Sequence, residues 1–330
     1  MDSEMISPGR GGFEATRRGR RSRLDPFVWI AIALTLLALL VFAFTGLITP
    51  SKAAKAQAQG GLYCGAYVTQ NVTLQHDLYG CVAGGITIAK SGVTVDLNGH
   101  TITGLGEGDG IAAAGVSGVT VRNGTVTNFE AGLRFAGVTN SLVHDTRFSM
   151  NSDASAWVEG STGNKFLRLT MTENGDGGFR LIGSSKNRIA GSTVTGASDS
   201  GVGLEGLSSY NRLVRNKVTL AGEGVKVDDG TGNRVFRNTL SYNGGAGVEI
   251  ASDAHATRVN ENQTNFNGAD GIFVEAFGAQ INRNHSGCNG GMGIEATQLA
   301  VGNDNVAGAN GDNVGCDGVV CRISLSCGSE

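Results

Sequence analysis

From Gly110 onward the chain repeats one short pattern: a glycine, an apolar residue, any residue, and a second apolar residue. The first position is held by Gly110, Gly132, Ser155, Gly178, Gly201, Gly224, Gly247, Gly271 and Gly293, at spacings of 22 to 24 residues. Behind it runs an apolar column of Ile111, Leu133, Ala156, Phe179, Val202, Val225, Val248, Ile272 and Ile294. Two residues further lies another, of Ala113, Phe135, Val158, Leu181, Leu204, Val227, Ile250, Val274 and Ala296. Alternation of this kind predicts a strand with one buried face. Two more columns follow in each unit: Val119, Leu142, Phe166, Ile189, Leu213, Val235, Val259 and Ile281, then Val126, Phe148, Met171, Val194, Val218 and Leu240, after which the column degrades. Each unit is therefore predicted to hold three short strands.

Asn140, Asn164, Asn187, Asn211 and Asn233 recur with the same period between the strands. Asparagine tolerates the left-handed backbone of a sharp bend, so these residues are expected at corners, with side chains able to hydrogen-bond from coil to coil. Three short strands cannot bury their apolar faces within one coil, whereas coils stacked about 4.8 Å apart form parallel sheets around a shared interior. The pattern thus predicts an all-β fold, a single-chain parallel β-helix of about ten coils with a repeat of about 23 residues. A leucine-rich repeat has a similar period, but its inward positions are mostly leucine and its outer wall is often helical. The stretches GEGDGIAAA and GADGIFVE suggest a calcium-binding roll, whose nine-residue repeat is absent.

Fifty-three glycines against three prolines exclude collagen, which needs abundant proline, and fit many backbone turns. The net charge of −3, with no Lys/Arg cluster visible within the repeats, gives no reason to expect nucleic acid as a partner. A basic run of Arg10, Arg17, Arg18, Arg20, Arg21 and Arg23 precedes an uncharged apolar stretch at 27–48. That stretch is long enough to span a bilayer as one helix, with the arginines kept in the cytoplasm. The expected order is a basic cytoplasmic segment at 1–26, a transmembrane helix or signal anchor at 27–48 and a linker at 49–61. An N-terminal cap with the first coils follows at 62–107, the repeats at 108–297, and a cysteine-containing cap at 298–330. The β-helix would then be tethered to the cell membrane on its extracytoplasmic side. A cleaved signal competes with the anchor, since Ala56 and Ala58 offer a small-residue cleavage site and a secreted product.

Export favours disulfides among the six cysteines, which occur only near the two ends of the array. Cys64 with Cys81 around the first coil, and Cys316 with Cys321, are the expected pairs; Cys288 and Cys327 could meet if the tail folds back on the last coils. The five histidines, His76, His100, His144, His255 and His285, are scattered singly, so no metal site is expected.

The segment LYCGAYVTQNVTLQHDLYGCVAGGITIAKSGVTVDLNGHTITGLG, from Leu62, carries two cysteines flanking a Thr-Leu-x-x-Asp-Leu motif, followed by Gly-Val-Thr-Val-Asp-Leu-Asn-Gly-His-Thr-Ile. It resembles the opening coils of exported bacterial right-handed parallel β-helix repeat proteins, the group with a pectate-lyase-like fold. The resemblance extends to about Thr297, and Cys316 and Cys321 are similar to the short cysteine loop that closes many such chains. It implies right-handed coiling, which periodicity alone does not show. It does not fix an activity, because the fold hosts lyases, hydrolases, epimerases, adhesins and copper-delivery proteins.

Asp96, Asn98 and His100 in DLNGHTI have catalytic residue types, but Asn98-Gly99 is a strong turn pair whose flanking side chains commonly satisfy turn amides. The four Asn-x-Ser/Thr triplets at Asn71, Asn123, Asn262 and Asn284 are expected by chance in such a sequence. More informative are the outward positions of the first strand. One row reads Arg134, Trp157, Arg180, Gly203, Lys226, Glu249, Phe273 and Glu295; the next reads Ala136, Glu159, Ile182, Glu205, Asp228, Ala251, Glu275 and Thr297. An exposed Trp157, with Phe273, suits stacking on the apolar faces of sugars, and Glu159 and Glu249 complete a candidate binding set. Arg180, Lys226, Glu205 and Asp228 are the candidate catalytic set of a polysaccharide-active enzyme. There a basic group would abstract a proton alpha to a uronate carboxyl while carboxylates hold a cation; Ca²⁺ enters only in that case, and no other cofactor is expected. The competing reading is a solvated face whose charges pair across coils. Coils near minimum length leave no cleft-forming loops, which favours a binding or structural role toward polysaccharide over an enzyme. Metal delivery ranks last, for want of a His or Met ladder, and the oligomeric state stays open.

Overall fold

A computed structural model describes residues 62–312 and 315–324, and every regular element among them is a β-strand. The basic segment, the apolar stretch at 27–48 and the linker fall outside the described residues. Among the described residues no helix is long and apolar enough to cross a membrane.

The first strand of each coil pairs in parallel with its counterpart one coil on. The result is a sheet of twelve strands among the described residues, from Ala66–Val68 to Cys316–Asp317. The second and third strands make two further faces, joined where the long strands Thr120–Thr127 and Leu142–Ser149 run through the corner between them. The molecule is a parallel β-solenoid of the right-handed, pectate-lyase-like type, with about eleven turns. The count exceeds the expected ten because the ends coil as well: Ala66 faces Ile86, Ile86 faces Ile111, and Ile294 faces Cys316.

The predicted inward columns of the first sheet are buried along their whole length. Phe135, Phe166 and Phe179 interlock in the interior, with ring centroids 6.1 and 5.7 Å apart. The column of the second sheet needs a correction: Val121, Val143 and Phe166 share a register, whereas Leu142 lies opposite Lys165 on the outer face. Two adjacent apolar residues at Leu142–Val143 hide the phase of the alternation. The third column, which degrades in the sequence, continues as Thr264, Ser286 and Ala307, all buried; the Thr264 hydroxyl donates to Ser286 Oγ at 2.9 Å. Glycine holds this position of the first strand in every aligned repeat but that of Ser155, because a neighbouring coil passes there. A Cβ on Gly201 would collide with the Val218 side chain and the Gly224 carbonyl.

The corner asparagines also differ from expectation. Of the five, only Asn140 has left-handed backbone (φ 51°); elsewhere the bend is made one residue earlier, at Gly163, Lys186, Tyr210 and Gly232 (φ 73°, 57°, 58° and 68°). The asparagine after each bend turns inward and is buried. Asn187 Oδ1 accepts the Asn164 N–H, Asn211 Oδ1 the Asn187 N–H, and Asn233 Oδ1 the Asn211 N–H, all at 2.9 Å. The amide nitrogens donate to carbonyls of the preceding coil, Asn187 to Ser161 and Asn211 to Ser184. Two further ladders run through Asn216, Asn238, Asn262, Asn284 and Asn305, and through Asn243, Asn267, Asn289 and Asn310. A corner carries backbone groups that no sheet pairs and no water reaches, and a primary amide offers both the acceptor and the donor they need.

Disulfides join Cys64 to Cys81 and Cys316 to Cys321, with Cα atoms 5.1 and 6.1 Å apart. Cys288 is disulfide-bonded as well, and Cys327 lies outside the described residues.

Candidate functional site

Arg134, Trp157, Arg180, Gly203, Lys226, Glu249, Phe273 and Glu295 are neighbours in unbroken register on the outer face of the first sheet. The parallel ladder puts one of them on each coil, about 4.8 Å from the next. In the adjacent row Ala136, Glu159, Ile182 and Glu205 continue the register, but a bulge between Val227 and Asp229 takes Asp228 out of line.

The geometry of Trp157 differs from the exposed platform expected. Its ring is half-buried between two guanidinium groups, Arg134 at 4.7 Å and Arg180 at 4.6 Å from the centroid, and its buried indole N–H has no partner. Arg134 Nε in turn donates to Asp109 at 2.7 Å. Arg180 grips Glu205 with two parallel bonds, Nε to Oε1 and Nη2 to Oε2, each 3.1 Å. Lys226 Nζ lies 3.4 Å from Asp228. Among the proposed contacts Glu159 is exposed, while Glu249 and Phe273 are half-buried.

These pairings set the protonation states. The Glu205 hydrogen bonds raise Arg180 above its ordinary value. Burial pulls the Lys226 amine down, but Asp228 and Glu249 outweigh it and the net direction is up. Glu249 is raised by burial, against the pull of Lys226. Asp153, whose buried Oδ1 lacks a partner, is raised by burial and by Asp176, with Arg180 and Arg134 pulling back. The strip presents fixed charges, and neither basic group is poised to take a proton at neutral pH.

DLNGHTI folds as a turn. Asn98 has φ 51°, its N–H donates to Asp96 Oδ1 at 2.9 Å, Arg122 Nε binds Asp96 Oδ2 at 2.9 Å, and the His100 ring meets Asp77 at 3.0 Å.

The second sheet carries a row that the sequence analysis missed. Lys165, Arg188, Arg212, Arg234 and Arg258 are successive register partners on its outer face, one per coil. They are 22 to 24 residues apart in the chain, so no local basic cluster betrays them. The signal was the position just before each apolar residue Phe166, Ile189, Leu213, Val235 and Val259 once the repeats are aligned. A second surface feature, also unanticipated, is an exposed stacked pair at a corner, Tyr242 on Phe266, with centroids 5.0 Å apart and planes 5° from parallel.

Among the described residues no group of three or more His, Cys, Asp or Glu side chains stands close enough to hold a metal ion. Five of the cysteines are in disulfides, and His100 and His144 are occupied by Asp77 and Asp145.

The fold is shared with solved structures, two of which match over most of this chain. The A-module of mannuronan C-5 epimerase AlgE6 from Azotobacter vinelandii matches at 13% identity, over 83% of this chain and 94% of that one, with a TM-score of 0.53. The ORF18 protein of Geobacillus virus E2 matches at 10% identity, over 72% of this chain and 54% of that one, with a TM-score of 0.57. None of the curated protein sequences matches the chain. A family profile, described as periplasmic copper-binding protein (NosD), matches residues 69–268. With more than half of its length covered, and with disulfides at both ends of a β-solenoid, the chain belongs to this periplasmic β-helix family.

Proposed function

We propose that the protein binds an extended polysaccharide at the cell envelope without turning it over, and that the strip on the first sheet is one contact surface. The observation that carries this reading is the unbroken register from Arg134 to Glu295, which repeats outward side chains once per coil along a straight, open face. A polymer with a regular repeat meets such a face many times over, and several weak contacts then act together. The fold of a mannuronan C-5 epimerase module shows that a solenoid of this kind can serve a protein named for a polysaccharide. Lys226, Glu159, Glu249 and Phe273 are the proposed contacts, with the Arg134–Trp157–Arg180 stack holding its guanidinium groups in place. Turnover by Arg180, Lys226, Glu205 and Asp228 fits less well, because each is already committed to an ion pair.

Copper, which the family description names, finds no group of three or more His, Cys, Asp or Glu side chains to hold it among the described residues. Tethering through residues 27–48 stays part of the proposal.

Replacing Lys226 and Trp157 together by alanine should weaken retention on the cognate polysaccharide at least tenfold, with a melting temperature only slightly changed, since both side chains lie on the outer face. Affinity electrophoresis of the full chain in neutral detergent reads the effect. New unsaturated or reducing ends produced by the wild type, and abolished in Lys226→Ala or Arg180→Ala, would show an enzyme and overturn the proposal.

A further inference from the structure

We infer that the second sheet carries a separate site for a linear acidic polysaccharide, built by Lys165, Arg188, Arg212, Arg234 and Arg258. These five side chains are consecutive partners on parallel strands, so their charges line up along the solenoid axis over about 19 Å, at the coil spacing of about 4.8 Å. None of them forms a salt bridge, whereas the neighbouring corner carboxylates are already taken: Asp145 by Arg168 and His144, Glu261 by Arg237 and Arg283. Like charges placed directly opposite each other on a sheet repel, and this sheet holds that arrangement over five coils without one compensating acid in the row. Arg212, Arg234 and Arg258 also line one shallow groove with Phe236 and Asn260, which gives the charges a track to face.

The occupant that suits this row is a straight polyanion with one carboxylate or sulfate per sugar, because each guanidinium can then meet one anionic group with a planar pair of hydrogen bonds. Duplex DNA fits worse: it spaces phosphates about 3.4 Å apart along each strand, on a helical path that leaves a straight row. A single-stranded nucleic acid would require aromatic platforms beside the charges. Two residues along each strand lie Leu167, Ala190, Val214, Phe236 and Asn260, of which Phe236 is covered by Arg237 at 4.6 Å, and on the other side an exposed ring, Tyr210, precedes Arg212 alone, so aromatic platforms do not recur from coil to coil.

The inference rests on the polysaccharide reading above but assigns a different face and fixes the sign of the ligand's charge. It is tested with the full chain, using polymannuronate as the acidic probe, dextran as the neutral one and single-stranded DNA as the competing polyanion. The triple variant Arg212→Gln/Arg234→Gln/Arg258→Gln should lose at least tenfold in affinity for polymannuronate. The slope of log affinity against log salt should fall by about 2, at about 0.7 per phosphate-like contact removed. Arg212→Lys/Arg234→Lys/Arg258→Lys should keep most of the salt dependence. Equal polymannuronate binding by wild type and the glutamine variant would overturn this inference while leaving the polysaccharide reading standing. Stronger binding of the DNA, or loss of self-association in the glutamine variant as its sole effect, would assign the row to a nucleic acid or to a second copy of the chain. No retention of any polysaccharide by the wild type would remove both readings together.

Discussion

Asn238→Ala is expected to destabilise the solenoid by about 3 to 5 kcal/mol, although it deletes only a small polar group, because it strands several buried partners at once. Asn238 Oδ1 accepts from the Asn216 backbone N–H at 2.9 Å and from Asn216 Nδ2 at 3.0 Å. Its Nδ2 donates to the Leu213 carbonyl at 3.1 Å and to Asn262 Oδ1 at 3.0 Å. The side chain is 1% exposed, so water does not replace these bonds without a cavity that admits it. The denaturant midpoint checks the value, and Asn98→Ala, at a turn on the surface, supplies the comparison with a much smaller loss. A loss below about 1 kcal/mol for Asn238→Ala would mean that the ladder is decorative and that sheet pairing alone holds the corners.

Phe166→Ala should cost a similar amount, about 3 to 5 kcal/mol, by a different route. The ring is fully buried, sits in register between Val143 and Ile189, and packs against Phe135 and Phe179. Truncation removes the transfer free energy of the ring and leaves a hole that stacked coils cannot close, because each is tied to its neighbours by a full ladder of backbone bonds. Phe273→Ala, on the outer face of the first sheet, should cost less than about 1 kcal/mol. Comparable losses for the two phenylalanines, measured by the same denaturant titration, would contradict the assignment of inner and outer faces.

Much of this architecture is legible in the sequence because the repeat makes one physical requirement visible many times. A valine in a single strand says little, whereas Val202, Val225 and Val248 at one phase of a 23-residue period identify a buried column. The phase failed at Leu142, where the adjacent apolar pair Leu142–Val143 leaves the alternation ambiguous and only the pairing with Lys165 decides. Asparagine reads as a bend former because that is its commonest role in a loop. Its position one residue after the bend, pointing inward, depends on backbone groups of the coils above and below. The candidate strip on the first sheet was readable as rows, but the pairing that defines it was not. Which acid reaches Arg180, and that Arg134 and Arg180 cover both faces of Trp157, follows from side-chain directions in three dimensions. The basic row of the second sheet was hidden for the opposite reason. A charge cluster is visible in a sequence only where its members are close along the chain, and a solenoid makes neighbours of residues a full coil apart.

Surface electrostatics and interior packing therefore divide the molecule's work. The asparagine ladders and apolar columns fix a rigid rod, and the rod sets the outward side chains of each row at a constant spacing, with one chemical group repeated in the basic row of the second sheet. A binding protein needs no more than this, whereas an enzyme would need at least one group released from its partner at the right protonation state. The most direct test is to pass acidic and neutral polysaccharides over the full-length protein in neutral detergent and to measure, in the same samples, retention and newly formed unsaturated or reducing ends. Retention of acidic chains that weakens with salt, with no new ends after prolonged incubation, is the predicted result. Formation of new chain ends by the wild type, or the absence of retention for every polysaccharide tried, would contradict it.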